Sequence, residues 1–455
     1  MKTVKNFIGI VLFMSFTFVG CSDDDIEKIP SSEIPDMVFR DYLLRNFDSD
    51  LDGFISTKEA KNVKEIDLSN ERSIYSLEGL EHFTSLEKLN INYHYEGDLD
   101  VSQNIKLKEL YSKGLRAYTL NLNNNLELEV LDCSDSSLES LDISNNKKLK
   151  IINITNTFLY QKSFNFNEFQ QLEEFYYDKE IKDLTINNIP LRVLDVSYVE
   201  NLNITNLPDL ELLIIKGNGE ARNNTLDLTK STKLKILKCE YLNCSVDLSN
   251  CTALEEFTWT SGHAVDLSKN KALKILHYMC GGILDISNNT ALETLQFHSY
   301  EGRVLSFKNN TLLKNVWIMM KDNENYDFSS NTLIESLYLQ GWRNDGDYYS
   351  VSFDITNCKN LTELTISMCG IDALELEPYS KLKKVLVNDS NNLGIINAAG
   401  LQNLESFEVT NGYSSKPVEA DFSNCVNMKK LSLWNIKSLN LTGCNSLEGW
   451  TEYPR

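Results

Sequence analysis

The sequence predicts an elongated β-rich solenoid, with short parallel strands on both faces, few helices, and a small N-terminal helix–loop–helix closing one end. Three observations predict it. Apolar residues return in register about every 21 residues. Within each return they alternate over two short runs, the pattern of half-buried strands. A single acidic loop of twelve residues, 48–59, precedes the first return.

In chain order the first element is a targeting segment. Lys2 and Lys5 stand before an apolar run at residues 7–19 that ends in Gly20-Cys21. The run is shorter than the roughly 20 residues a membrane-spanning helix needs, so residues 1–20 read as a cleaved signal. Phe18-Val19-Gly20-Cys21 resembles a bacterial lipobox, although Phe18 stands where an aliphatic residue is usual. The resemblance implies that Cys21 is lipidated and opens the mature chain. Ser22-Asp23-Asp24-Asp25 is similar to the export signal of Bacteroides-type surface lipoproteins, which implies outer-membrane anchoring with the chain facing outward. Residues 21–33 themselves read as a solvated acidic tether.

The cap is expected over residues 34–62. Asp36 suits the N-cap of a helix whose Phe39, Leu43, Leu44 and Phe47 share one apolar face. Ser56-Thr57-Lys58-Glu59 is a capping-box pattern opening a second helix. Between them Asp48, Asp50, Asp52, Phe54, Ser56 and Glu59 fall at loop positions 1, 3, 5, 7, 9 and 12, with Gly53 at the sharp turn and Ile55 directed inward. Hard cations such as calcium take six or more oxygens, and these side chains with the Phe54 carbonyl would supply them. The segment resembles an EF-hand or dockerin-like loop. With no second loop to pair with, it reads as one structural calcium ion steadying a cap over the first repeat.

The repeats fill residues 63–455, about 18 units, with anchors beginning at Leu86, Leu107 and Leu128 and ending at Met428 and Leu447. Leu128-Glu129-Val130-Leu131-Asp132-Cys133 shows the first strand of a unit, and Leu141-Asp142-Ile143 the second. Asn or Ser after the second strand, as in Ser144-Asn145-Asn146, suits a turn whose side chains bond the backbone, and Asn or Cys stacked there would form a ladder. One unit cannot bury its leucines alone, so neighbours stack around a shared core. The unit resembles the short, nested bacterial leucine-rich repeat. This implies a curved right-handed solenoid but no particular ligand.

Composition narrows the function. The formal charge is −21, from 44 basic and 65 acidic residues, so nucleic acid would be repelled. Of ten cysteines, Cys133 and Cys239 fall at core positions, and Cys251, Cys358, Cys425 and Cys444 recur at one turn position. Beyond Cys21 the cysteines are odd in number, against a complete disulfide framework.

The outward column of the first strands holds Thr258, His277, Gln296, Trp317, Tyr338 and Thr365, with Met279, His298 and Met319 two residues further on. Exposed large aromatics mark contact surfaces. Trp342, Tyr348, Tyr349 and Tyr413 sit in long units and would form an adjoining rim. Trp259 and Tyr278 point inward and read as core. The ligand-binding residues on this reading are His277, Gln296, His298, Trp317, Tyr338 and Trp342, taking a protein or a glycan on the concave face.

Three function classes compete. A non-enzymatic surface binding or adhesion protein fits the anchor, the solenoid and the aromatic face. A structural surface-assembly component fits an end with no obvious cap. An enzyme finds no nucleophile elbow, zinc-protease motif or phosphate loop in the sequence.

Overall fold

The computed structural model describes residues 27–455 apart from 94, 96–98, 161–163, 220–223, 261–262, 299–302, 305, 320–324, 342, 345–346, 349–351, 377–378, 391, 411–415 and 454–455. The chain is a β-solenoid. Each unit gives one short strand to a single long parallel sheet that starts with Glu65–Asp67 and ends with Thr451–Tyr453. Pairing runs from unit to unit in one direction. Among the described residues Glu65–Asp67 pairs only with Lys88–Asn90, and Thr451–Tyr453 only with Lys430–Trp434, so this front sheet is an open ribbon rather than a closed barrel.

Alternation sets the two sides of each strand. In Val130–Asp132 the middle residue, Leu131, is buried while its neighbours are half-buried, and the same pattern recurs in Ile236–Glu240 and Ser336–Gln340. The inward residues form one continuous apolar core running the length of the stack. Trp259 and Tyr278 lie in it, 0% and 1% exposed, as their inward position predicts. Behind the core the second run of many units forms short parallel back strands: Thr119–Asn121 with Ser140–Asp142, and a four-stranded set from Ala373–Glu375 to Ile436–Asn440. In other units, such as around Asp247 and Asp266, the second run is not paired as a strand.

The recurring Leu-Asp-Leu-Ser-x-Asn string has a local reason at each residue. The Asp carboxylate accepts the N–H two residues on, as Asp142 does from Ser144 at 2.9 Å and Asp285 from Ser287 at 2.9 Å. The Asn is buried and donates to two backbone carbonyls of the preceding unit: Asn289 to Leu267 and Asn270, Asn310 to Ile286 and Asn289, and Asn331 to Phe307 and Asn310. Cys251, Cys358 and Cys425 take the same place, their thiols directed at carbonyls 3.1–3.7 Å away. The ladder expected from the sequence is therefore present. All nine described cysteines are free thiols.

The residue after each anchor forms a second column, joined backbone to backbone from unit to unit. Its sign alternates through Lys64, Glu87, Lys108, Glu129, Lys150, Glu173 and Arg192 and onward to Lys314 and Glu335. Thr362 is neutral, and Lys383, Glu405 and Lys429 resume the alternation. Ion pairs join the rungs, among them Lys108–Glu87 at 2.6 Å, Lys235–Glu211 at 3.0 Å and Lys274–Glu255 at 2.7 Å.

At the N-terminal end Met37–Phe47 is a helix capped by Asp36, whose Oδ1 accepts the Val38 and Phe39 N–H groups. The second helix is a single turn, Thr57–Ala60, shorter than the capping box alone implies, since Asn62 and Val63 already lead into the first front strand. Folded chain begins before residue 34. Lys28–Ile29 pairs antiparallel with Ile55–Ser56, and Ile29 and Ile34 are buried. No helix among the described residues is long and apolar enough to cross a membrane.

Candidate binding face

The front sheet presents the outward column in register. His277 lies opposite Gln296, Gln296 opposite Trp317, and Trp317 opposite Tyr338. All four side chains are half-buried. Trp317 meets the His298 ring edge-on at 5.5 Å between centroids, and the Tyr338 ring at 5.7 Å. The strands that carry these rings are held about 4.8 Å apart by backbone pairing, so the aromatic patch is preformed. Burial lowers the pKa of His277, with a smaller opposing effect from Glu256, and burial likewise lowers that of His298; neutral imidazole is the form held on this face at pH 7.

Two sequence-based assignments change. Thr258 and Met319 are each only 7% exposed, because longer side chains flank them in register: Lys238 and His277 beside Thr258, His298 and Gln340 beside Met319. His277 and His298 lie diagonally on neighbouring strands, since Gln296 is opposite His277 and His298 is opposite Met319. Met279, by contrast, is 36% exposed. Trp342, Tyr349, Tyr413 and Cys21 lie outside the described residues.

Sequence reasoning missed a second lane. Two residues before the aromatic column, the outward positions Val130, Ile151, Val193, Leu212, Ile236 and Ile275 are aliphatic and half-buried. Register joins them across adjacent strands, interrupted by Glu174 and Glu256. Toward the ends of the sheet the same column is polar, as at Lys88, Asn315, Lys384 and Lys430. The signal was legible: each of these residues follows the anchor by two, at a position whose Cβ faces solvent.

In the cap loop, carboxylate oxygens of Asp48, Asp50 and Asp52 lie within 4.8 Å of one another. Glu59 is turned into the loop, accepting from the Ser49 N–H at 2.7 Å and from its hydroxyl at 2.6 Å. Burial of Glu59 opposes its ionisation, but the Ser49 and Ser56 donors together outweigh this and hold its pKa down to about 2. Ser56 is 8% exposed and serves as the helix N-cap, its hydroxyl bonded to Glu59. The Lys28 ammonium pairs with Asp52 at 2.5 Å and lies 4.7 Å over the Phe54 ring. Ile55 is buried as expected.

Comparison places the chain by its backbone. It superposes on the functional domain of InlJ from Listeria monocytogenes, which includes a cysteine ladder, with a TM-score of 0.53 and 19% identity over 88% of this chain and 80% of that one. A TDR receptor matches with a TM-score of 0.52 and 13% identity over 88% and 85%. The fold is the leucine-rich-repeat solenoid. No protein-family model matches the sequence, and no curated protein does. At these identities the likeness speaks for the scaffold alone. In the buried turn column of this solenoid Asn is the commonest residue, with Cys among those interposed.

Proposed function

We propose that this leucine-rich-repeat chain is a non-enzymatic binding or adhesion protein of the cell surface, which recognises a protein through the front sheet. The observation that carries this reading is the run of His277, Gln296, Trp317 and Tyr338 on four adjacent strands, a rigid aromatic patch half-open to solvent. Trp and Tyr anchors on a fixed support are where interface energy concentrates. An open sheet face also lacks the deep, water-excluding pocket that catalysis favours. The lipobox-like Cys21 supports anchoring to the outer membrane, facing outward, and replacing it with Ser should abolish incorporation of labelled fatty acid.

The test uses residues 26–455 as a soluble protein on an array of host proteins and glycans. Hits should be lost when Trp317 and Tyr338 are both changed to Ala and kept when Tyr118, on the back of the stack and 66% exposed, is changed instead. Hits that survive the double change would remove the front face from consideration, and hits confined to glycans would replace the protein partner with a sugar.

We further propose that the cap loop takes one structural calcium ion. Three converging Asp carboxylates suit a hard cation that prefers oxygen. Glu59 stands beside them, and the Phe54 carbonyl and Ser56 complete the loop pattern. When bound, the ion would neutralise this acidic cluster and tie the two ends of the loop together. Calcium should raise the melting temperature relative to chelator, and Asp50→Asn should erase the difference; identical melting curves would end the proposal.

A further inference from the structure

We propose that the aliphatic lane of the front sheet seats an amphipathic, cationic polypeptide segment, whose apolar side covers Val193, Leu212 and Ile236 while a Lys or Arg meets the carboxylates of Asp178 and Asp195. This deepens the binding reading above and rests on it.

The lane is apolar only in the middle of the sheet, where contiguous outward aliphatic residues mark a contact surface. It crosses eight strands from Val130 to Ile275, roughly 34 Å at the usual strand spacing. A helix of roughly 22 residues has that length. Asp195 stands in the neighbouring column, opposite Tyr176 on one side and Ile214 on the other. It is half-buried and accepts no hydrogen bond from the described residues. Asp178 follows the strand Glu174–Tyr177 and accepts the Asn156 N–H at 2.8 Å. Burial first, and then the Asp178 charge, push the Asp195 pKa above its ordinary value, with Lys238 opposing, so a cation placed here would favour the ionised form.

The neighbouring cations are engaged elsewhere. Lys238 pairs with Glu256 at 2.7 Å and offsets only part of the shift at Asp195, and Arg192 is shared among Glu173, Glu174 and Glu211. Apolar cover together with two carboxylates that form no ion pair among the described residues selects a polypeptide carrying both properties. A glycan would leave the aliphatic lane uncovered, and a nucleic acid would add charge of the wrong sign.

The probes are two labelled peptides of roughly 22 residues, one of Leu and Lys and one of Leu and Glu in the same amphipathic order, titrated into the full chain. The Leu/Lys peptide should bind and the Leu/Glu peptide should not. Asp178→Asn with Asp195→Asn should weaken binding about tenfold, as loss of a charge pair at an interface does. Leu212→Ser with Ile236→Ser should weaken it by a similar factor, and since both side chains face outward, circular dichroism should show the fold unchanged. Equal binding of both peptides, no binding of either, or indifference to both lane variants would overturn the proposal. If array hits fall with Trp317→Ala/Tyr338→Ala while peptide binding ignores the lane, the lane fails and the front-face reading stands. If array hits ignore both pairs of changes, both readings fail.

Discussion

Asn289 shows how one side chain joins two units. Its amide donates to the carbonyls of Leu267 and Asn270 at 3.0 and 2.9 Å, in a site with no exposed surface. Its Oδ1 finds no donor among the described residues, so the side chain brings two bonds and one orphaned acceptor. Asn289→Ala should therefore cost about 1–2 kcal/mol in urea unfolding, less than two full bonds, because the orphan goes with it. Asn289→Cys should cost less than Asn289→Ala, since Cys251 and Cys358 already serve as rungs. The turn aspartates predict a pH dependence. Hydrogen bonds from Ser or Thr hold Asp142, Asp227, Asp266, Asp285 and Asp327 below the ordinary carboxylate pKa, and Lys108 and Lys64 hold Glu87 down to about 2. Groups lowered in the folded state add stability above their unfolded pKa and lose it as pH falls through the folded one. The melting temperature should thus be level from neutral pH down to the unfolded carboxylate range, about 4, and drop steeply below it; a flat profile at acid pH would show that these bonds hold little.

At the scale of elements, Asp36 helps tie the cap to the first repeat, beside Tyr42, whose hydroxyl accepts the Asp67 N–H at 3.0 Å, and Arg45, which pairs with Glu71 at 3.0 Å. Asp36 Oδ1 caps the helix Met37–Phe47, while Oδ2 accepts the Tyr75 N–H at 2.7 Å and the Ser76 N–H at 3.3 Å. The cap signal in the sequence accounts for the helix alone. The link to Tyr75 was not legible, because it joins positions 39 residues apart. Asp36→Ala should cost about 1–2 kcal/mol and speed amide exchange both in the helix and around Tyr75; exchange confined to the helix would reduce Asp36 to an ordinary cap. Gly341 marks a different constraint. A Cβ there would stand 2.1 Å from the Met368 carbonyl oxygen, so the backbones of adjacent units touch at the strand end. Gly341→Ala should destabilise by about 1–3 kcal/mol, as forced overpacking does.

For the whole molecule, the alternating charge column constrains how units stack. Deleting residues 128–148 would set Lys108 against Lys150, like against like, whereas deleting residues 107–148 would set Glu87 against Lys150. The one-unit deletion should melt below the two-unit deletion at low ionic strength despite its extra unit, and should gain more on addition of about 1 M salt, where screening acts within about 3 Å. A longer chain that is also the more stable at low salt would show the column to be incidental. Thr362, neutral where the phase breaks between Glu335 and Lys383, fits the same rule.

The sequence by itself determined the unit length, the inward residues, the turn chemistry and the outward column of His277, Gln296, Trp317 and Tyr338, since each follows from a period repeated on a local backbone. It also placed the cap helix and the acidic loop, both of which are local signals. Only the tertiary structure decided which outward residues are covered, as Thr258 and Met319 are, and which gather into a surface, as Val193, Leu212 and Ile236 do. The physical reason is that exposure on a stacked sheet depends on the side chains of the units above and below, which lie about 20 residues away in sequence but one strand spacing away in space.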